Sequence, residues 1–337
     1  MSRITVLGSG AWGTAIALSL TNRGDHQVTL WSHRAEAAAA LASDRENRHF
    51  LPGFPLPESL RITASDEEAV SDAEILVCVT PSEFLRPTMA RLTPYMRDGQ
   101  VLVSATKGIE DHSFMRMTEV IGECLTEAGL GLPVGALSGP SFAQEVAGGM
   151  PTAVTIAFAD PTLATLVQHE FSSPSLRLYT NDDLIGVELG GALKNVIAIA
   201  AGMLAGMELG LNSVAGLITR GIAETTRLAV AAGGRRETLG GLSGLGDLVL
   251  TCTGSLSRNR MVGYELGRGR KLPEILTSLD GKVAEGVRTT LAALGLARSL
   301  GVEMPITEQM ELILDEGKDP REAIRDLMQR PIRPEED

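Results

Sequence analysis

The sequence predicts an α/β fold in which a Rossmann-like N-terminal domain, built on a mostly parallel sheet, is followed by an all-α C-terminal domain. Three observations carry this expectation. An apolar, β-prone run over residues 4–7 ends in Gly8-Ser9-Gly10-Ala11-Trp12-Gly13 and passes directly into a helical stretch over 15–20. Apolar runs over 75–79, 101–105 and 134–137 have the unbroken character of parallel strands covered on both faces. From Asn181 onward the text is helical almost throughout, and Asn181 and Asp183 can cap the first of those helices. The expected division is 1–182 as a dinucleotide-binding Rossmann domain and 183–337 as a helical substrate-binding domain.

Composition narrows the class. A chain of 337 residues with 44% hydrophobic and 21% charged content is globular and long enough for two domains. A net charge of −12 argues against nucleic acid as a partner, because no basic stripe is left to neutralise phosphates. Cys78, Cys124 and Cys252 are far apart and lack metal-ligand spacing, which fits free thiols in a reducing cytoplasm. The first residues run straight into a strand, leaving no room for an export signal. Residues 184–207 are the most apolar stretch, but Glu188, Lys194 and Asn195 interrupt it below the roughly 18 apolar residues that a membrane span needs. A buried helix is expected there, with no stable membrane insertion.

Taken in order, the glycines come first. Gly8 permits a tight turn, Gly10 lets backbone approach a pyrophosphate, and Gly13 allows close packing of helix on strand, while the helix N-terminus offers free N–H groups to phosphate. A second strand over 27–31 ends at Ser32-His33-Arg34, where an NAD-only site would carry an acid for the ribose hydroxyls. These neutral and positive groups favour a 2′-phosphate, so NADP is expected, with NAD as the alternative. His33 and Arg34 could instead simply begin the next helix, over 35–42. Residues 49–57 are punctuated by proline and read as an irregular segment before a short strand over 60–63.

Three strand ends then carry small or polar residues where an open parallel sheet binds its ligand. They are Thr80-Pro81-Ser82, Thr106-Lys107-Gly108, and Ser138-Gly139-Pro140-Ser141-Phe142-Ala143. Edge strands over 152–158 and 176–179 flank a helix over 161–171. Helices are expected over 184–207, 213–232, 258–266, 272–279, 287–300, 307–314 and 320–328, with a frayed acidic tail from 334 to 337.

Lys194 lies in Gly190-Gly191-Ala192-Leu193-Lys194-Asn195, where both helix faces are apolar or small. Burial there would lower its pKa and suit it to proton transfer, although a lysine at the helix surface can also snorkel to water. Glu188 is not placed to pair with it along the helix. Gly244-Leu245-Gly246-Asp247 sets one acid in a glycine-flanked loop, and Ser257-Arg258-Asn259 opens a helix with groups suited to an anion, or to plain capping and solvation. The loop from Gly281 to Gly286, with Glu285, reads by composition as a turn. The five histidines show no metal-ligand spacing, and no Gly-x-Ser-x-Gly elbow is present, so no metal is expected.

In combination, the fingerprint from Gly8 to Gly13, Ala105-Thr106-Lys107-Gly108, the segment from Ser138 to Ala143, that from Gly190 to Asn195, Gly244-Leu245-Gly246-Asp247 and Ser257-Arg258-Asn259 resemble the bacterial-type NAD(P)-dependent glycerol-3-phosphate dehydrogenase family. The resemblance spans nearly the whole chain. It implies a 6-phosphogluconate-dehydrogenase-like helical domain, interconversion of dihydroxyacetone phosphate and sn-glycerol 3-phosphate, and a role in phospholipid synthesis. By position it implies Lys194 as the acid/base group and Lys107 as a contact to both substrate and cofactor. Gly139, Ser141, Asp247, Ser257, Arg258 and Asn259 fall where the family holds substrate. Ala11, Trp12, His33, Arg34, Lys107, Ala143, Arg258, Val283 and Glu285 fall where it holds the dinucleotide, alongside Gly8, Gly10 and Gly13. Ser141 stands where some members have Thr, and position 33 varies among them.

Two other readings compete. One is a different two-domain hydroxyacid dehydrogenase or ketoacid reductase, separated by dependence on a substrate phosphate. The other is a nucleotide-binding redox sensor without turnover, which would need neither the two lysines nor an anion site. Apolar helices often pair chains, so a homodimer through the helical domain is an expectation, although no stripe marks an interface. Product inhibition is implied by the family alone.

Overall fold

The computed structural model describes residues 1–279, 283–332 and 334–335. Ten strands are present among them: β1 (Arg3–Leu7), β2 (Gln27–Trp31), β3 (Glu46–Asn47), β4 (Leu51–Pro55), β5 (Arg61–Thr63), β6 (Ile75–Cys78), β7 (Val101–Ser104), β8 (Val134–Ser138), β9 (Thr152–Ala157) and β10 (Leu176–Asn181). Eight of them form one sheet in the order β10-β9-β8-β7-β6-β1-β2-β5. Every pair is parallel except β8 with β9. The chain travels outward from β1 through β2 to β5, then crosses back to place β6 on the other side of β1. That reversal opens a crevice at the carboxyl ends of β1 and β6, where Leu7 pairs with Cys78.

The predicted strands are all present, and β6 and β7 are buried along their whole length because helices cover both faces. The irregular segment expected over 49–57 is different. It forms a small antiparallel ribbon, β3 with β4, whose register shifts between Glu46 and Asn47, and Gly53 within β4 takes up the irregularity at a φ of +87°. Its prolines are tolerated because each strand of the ribbon has a free edge.

Helices follow from Asp183, whose side chain accepts from the Gly186 N–H at 2.8 Å and from the Arg235 N–H at 2.8 Å. The helix Leu184–Gly206 is the axis of this half. By length and composition it could cross a membrane, yet 83% of its most apolar window is buried inside the protein. It is apolar all round because neighbours cover it all round: Leu211–Ala231, Asp247–Thr253, Arg258–Gly267 and Glu285–Leu300. The closest approach is with Arg258–Gly267. A Cβ added at Gly202 would lie 2.0 Å from the Arg260 carbonyl oxygen, and one at Gly263 would lie 1.8 Å from that of Ile199. Small residues on both helices therefore set the spacing of the helical half.

Candidate active site

The glycine turn is built by backbone. Gly8 has φ of +131°, and an added Cβ there would lie 2.8 Å from the Val79 carbonyl oxygen; at Gly13 it would lie 1.9 Å from that of Gly8. Gly10 differs, because nothing stands within 4 Å of the corresponding position. The helix Ala11–Asn22 begins at this opening with no side chain capping its first N–H groups. A crowded turn around one open glycine, facing uncapped helix donors, fits a pyrophosphate. Ala11 and Trp12 form the first turn of that helix. The ribbon supports it: the buried Asn47 amide donates to the Ser9 carbonyl at 2.9 Å and to Thr14 Oγ1 at 2.8 Å. Sequence spacing does not single out Asn47, since only the fold brings β3 under the turn.

At the end of β2, Ser32 is buried and accepts from Ser9 Oγ at 3.0 Å, while His33 and Arg34 are exposed. Partial burial, then Arg34 and Arg91, push the His33 imidazole below its usual value. Arg91 is an addition that sequence spacing does not show. Its guanidinium lies 5.4 Å from the Trp31 ring centroid, contacts the His33 carbonyl at 3.4 Å, and is held by Asp66 at 2.5 Å. Asp66 also accepts from Trp31 Nε1 at 3.1 Å, so the nearest acid is engaged on both oxygens.

The second cluster is built by side chains. Gly190 and Gly191 let the central helix approach two other elements: a Cβ at Gly190 would lie 2.7 Å from the Ser243 carbonyl oxygen, and one at Gly191 would lie 2.4 Å from Ser138 Oγ at the end of β8. The glycine-flanked loop expected at 244–247 is in fact a wide π-helical turn, Leu242–Gly246, running into the helix Asp247–Thr253. Gly244 makes this turn possible, because a Cβ there would lie 2.1 Å from the Leu239 carbonyl oxygen.

These approaches bring Lys194 and Lys107 to the one carboxylate of Asp247, which is fully buried. Lys194 Nζ donates to Asp247 Oδ1 and, at 2.9 Å, to Thr251 Oγ1. Lys107 Nζ donates to Asp247 Oδ2 at 2.5 Å and to the Gly139 carbonyl at 3.3 Å. Lys194 is buried, with 8% of its surface exposed, so it does not snorkel. Burial lowers its pKa to about 8, with the attraction of Asp247 opposing that fall and the like charge of Lys107 adding to it. Ser141 Oγ donates to the same Gly139 carbonyl at 3.0 Å. Ala143 opens the short helix that follows, and Phe142 before it fills the space that a side chain at Gly254 would need.

Asn259 Nδ2 donates to Asn195 Oδ1 at 2.9 Å, and Asn259 Oδ1 accepts from the Gly286 N–H at 3.0 Å. Ser257 caps its helix by accepting from the Arg260 N–H at 3.2 Å. Asn259 thus clasps three helices together while Ser257 caps its own, and Arg258 between them is exposed. Glu285 accepts from Asn195 Nδ2 at 3.4 Å; burial raises its carboxyl pKa, opposed by Arg258, Lys107 and Lys194. Val283 is half-buried ahead of it. Gly281 and Lys282 lie outside the described residues, as do Glu336 and Asp337 of the acidic tail. No group of His, Cys, Asp and Glu suited to a metal occurs among the described residues.

Comparisons with known proteins cover both halves. The family described as NAD-dependent glycerol-3-phosphate dehydrogenase N-terminus matches residues 3–164, and its C-terminus counterpart matches 183–325. A glycerol-3-phosphate dehydrogenase (NAD(P)+) of Acidobacterium capsulatum is 58% identical over 338 residues, covering 99% of this chain and all of its own. One from Koribacter versatilis is 57% identical over 331 residues, covering 98% of each chain. The crystal structure of glycerol-3-phosphate dehydrogenase from Coxiella burnetii superposes with a TM-score of 0.92 at 38% identity, covering 98% of this chain and 99% of that one.

Proposed function

This chain belongs to the NAD-dependent glycerol-3-phosphate dehydrogenase family, and we propose on that premise that it reversibly reduces dihydroxyacetone phosphate to sn-glycerol 3-phosphate, feeding glycerophospholipid synthesis. The observation that carries the reading is the pairing of Lys107 and Lys194 on the single buried carboxylate of Asp247. We take residues 1–182 as the dinucleotide-binding domain and 183–337 as the substrate domain. The protein's free thiols, all buried, fit a cytoplasmic enzyme. Leu211, Val249 and Met261 are exposed apolar residues of the helical half and support pairing of two chains there.

The dinucleotide, NADP with NAD as a second cofactor, would in its reduced form supply the hydride for C2 of the ketone and be left oxidised. Gly8, Gly10, Ala11, Trp12 and Gly13 would hold its pyrophosphate, and His33 and Arg34 would take the 2′-phosphate end. Ala143, Arg258, Val283 and Glu285, with Lys107, would hold its other end. As C2 gains its new C–H bond, the C2–O double bond becomes single and charge gathers on oxygen. The Lys194 ammonium stabilises that charge and gives it a proton, leaving a neutral amine. Asp247 keeps Lys194 cationic against the cost of burial, and Thr251 aims it. Lys107 orients the substrate with Gly139 and Ser141. Arg258, flanked by Ser257 and Asn259, supplies the exposed cation for the substrate phosphate.

The test is a mixture of the protein, reduced NADP and dihydroxyacetone phosphate followed by nicotinamide absorbance. Absence of phosphate-dependent oxidation with either cofactor would overturn the reading. Unphosphorylated dihydroxyacetone should react poorly with wild type, and Arg258→Ala should erase most of that discrimination. An equal loss on both substrates would remove Arg258 from the phosphate site.

A further inference from the structure

The chain between Lys107 and the helix Met117–Glu127 leaves the sheet half and lies against the helical half. Ile109, buried, joins the cluster of Leu189, Ala192 and Leu193 on the central helix, beside Lys194. Ile109 pairs with Arg116 across an antiparallel bridge, and the Glu110 N–H donates to the Met115 carbonyl at 2.9 Å, so the excursion is a closed strap. At its tip Phe114 adopts φ of +58°, and its ring fills the space over Gly295, where an added Cβ would lie 2.1 Å away. At its far end the Glu188 carboxylate accepts from the Thr118 N–H at 2.8 Å, from Thr118 Oγ1 at 2.6 Å and from Arg116 Nη1 at 2.5 Å. Glu188 is buried on the central helix, six residues before Lys194, and has no part in the chemistry above. A buried carboxylate costs stability unless it is fully bonded, and this one is bonded to the last residue of the strap, Arg116, and to Thr118 in the first turn of the helix that follows it.

We propose that this strap sets the separation of the two lysines, with Glu188 and Phe114 as positioning residues that hold Lys107 against Asp247. Lys107 stands at the end of β7 and Lys194 on the central helix, yet both reach one carboxylate, so a slide of either element separates them. Ile109, two residues past Lys107, rests on the neighbours of Lys194, and Glu188 and Phe114 fasten the remainder of the strap to the same half.

The proposal rests on the catalytic reading above, and wild-type turnover of dihydroxyacetone phosphate checks that reading separately. The variants are Glu188→Gln, which keeps the acceptor for Thr118 but loses the charge facing Arg116, and Phe114→Leu. The groups facing Lys194 are Asp247 and Cys252 on the helix Asp247–Thr253, Lys107 beyond β7, and Glu285 on Glu285–Leu300. Of these Lys107 is the like charge, so its retreat lets Lys194 hold its proton to higher pH. In folded variants kcat should fall about tenfold to a hundredfold, the cost of a misplacement near 1 Å. The basic limb of the kcat profile should move to higher pH, and the dissociation constant of reduced NADP, read by fluorescence, should rise by far less than kcat falls, because Lys107 is one of several groups that hold the dinucleotide. A lowered melting temperature with a wild-type kcat and pH profile in either variant would overturn the proposal. So would a loss of dinucleotide affinity as large as the loss of kcat.

Discussion

At the glycine turn, the groups that would meet the cofactor are backbone N–H donors on one continuous stretch, from Gly8 to Gly13. At the lysine cluster they are side chains drawn from positions 107, 194 and 247, on three elements. The first site needs only a strand, a turn and a helix in succession, and tolerates no added atom at Gly13. The second needs the two halves of the molecule in fixed register, and works through charges whose behaviour burial decides. One is built to hold a ligand by shape, while the proposed chemistry of the other depends on a shifted pKa.

Lys194→Ala tests the second site with the largest expected effect. Turnover should fall by about 10²–10⁴-fold, the range for losing a general acid, while reduced NADP still binds. Near-normal turnover in a variant that binds cofactor would remove Lys194 from the reaction. Gly13→Ala tests the first site. Its methyl group would meet the Gly8 carbonyl oxygen, so the turn must open, at a cost of roughly 1–3 kcal/mol. Thermal melting and cofactor affinity should both suffer, while the preference for phosphorylated over unphosphorylated substrate stays as in wild type. Loss of that preference would show the two sites to be less separable than their construction implies. Arg34→Ala should lower the preference for NADP over NAD about tenfold, near 1.4 kcal/mol, by removing one exposed charge-assisted contact. An unchanged preference would shift the 2′-phosphate contact to Arg91 or His33.

The same difference explains what the sequence discloses. Backbone sites leave compact signatures: the roles of Gly8, Gly10 and Gly13 follow from the order of residues alone, as do the buried strands β6 and β7. Lys194 is visible as a charge with no exit from an apolar helix, but its partner is not, because 53 residues separate it from Asp247. The segment around Asp247 reads as a loop and folds as a π-helical turn because Gly244 packs on Leu239, a contact that spacing alone does not show. Asn47 and the ribbon of β3 and β4 leave no pattern because prolines there signal irregular chain. Glu188 leaves none because its partners, Arg116 and Thr118, belong to the other half of the molecule.

The smallest expected effect is the most diagnostic for the lysine cluster. If Lys194 is the acid/base group proposed above, reduction of dihydroxyacetone phosphate requires it protonated and oxidation of sn-glycerol 3-phosphate requires it neutral, because microscopic reversal makes it the base. With its pKa lowered to about 8, the reductive kcat should be constant below that pH and fall as pH rises through it. The oxidative kcat should do the opposite, rising through the same region. An ordinary exposed lysine would place both limbs above about pH 10. Matching limbs near 8 in opposite senses would tie the proton to a buried amine, because burial is the largest cause of that lowering and Asp247 opposes it. Limbs near 10 would instead mean that water reaches Lys194 in the working enzyme, and the dry, side-chain-built site would have to be redrawn as an open one.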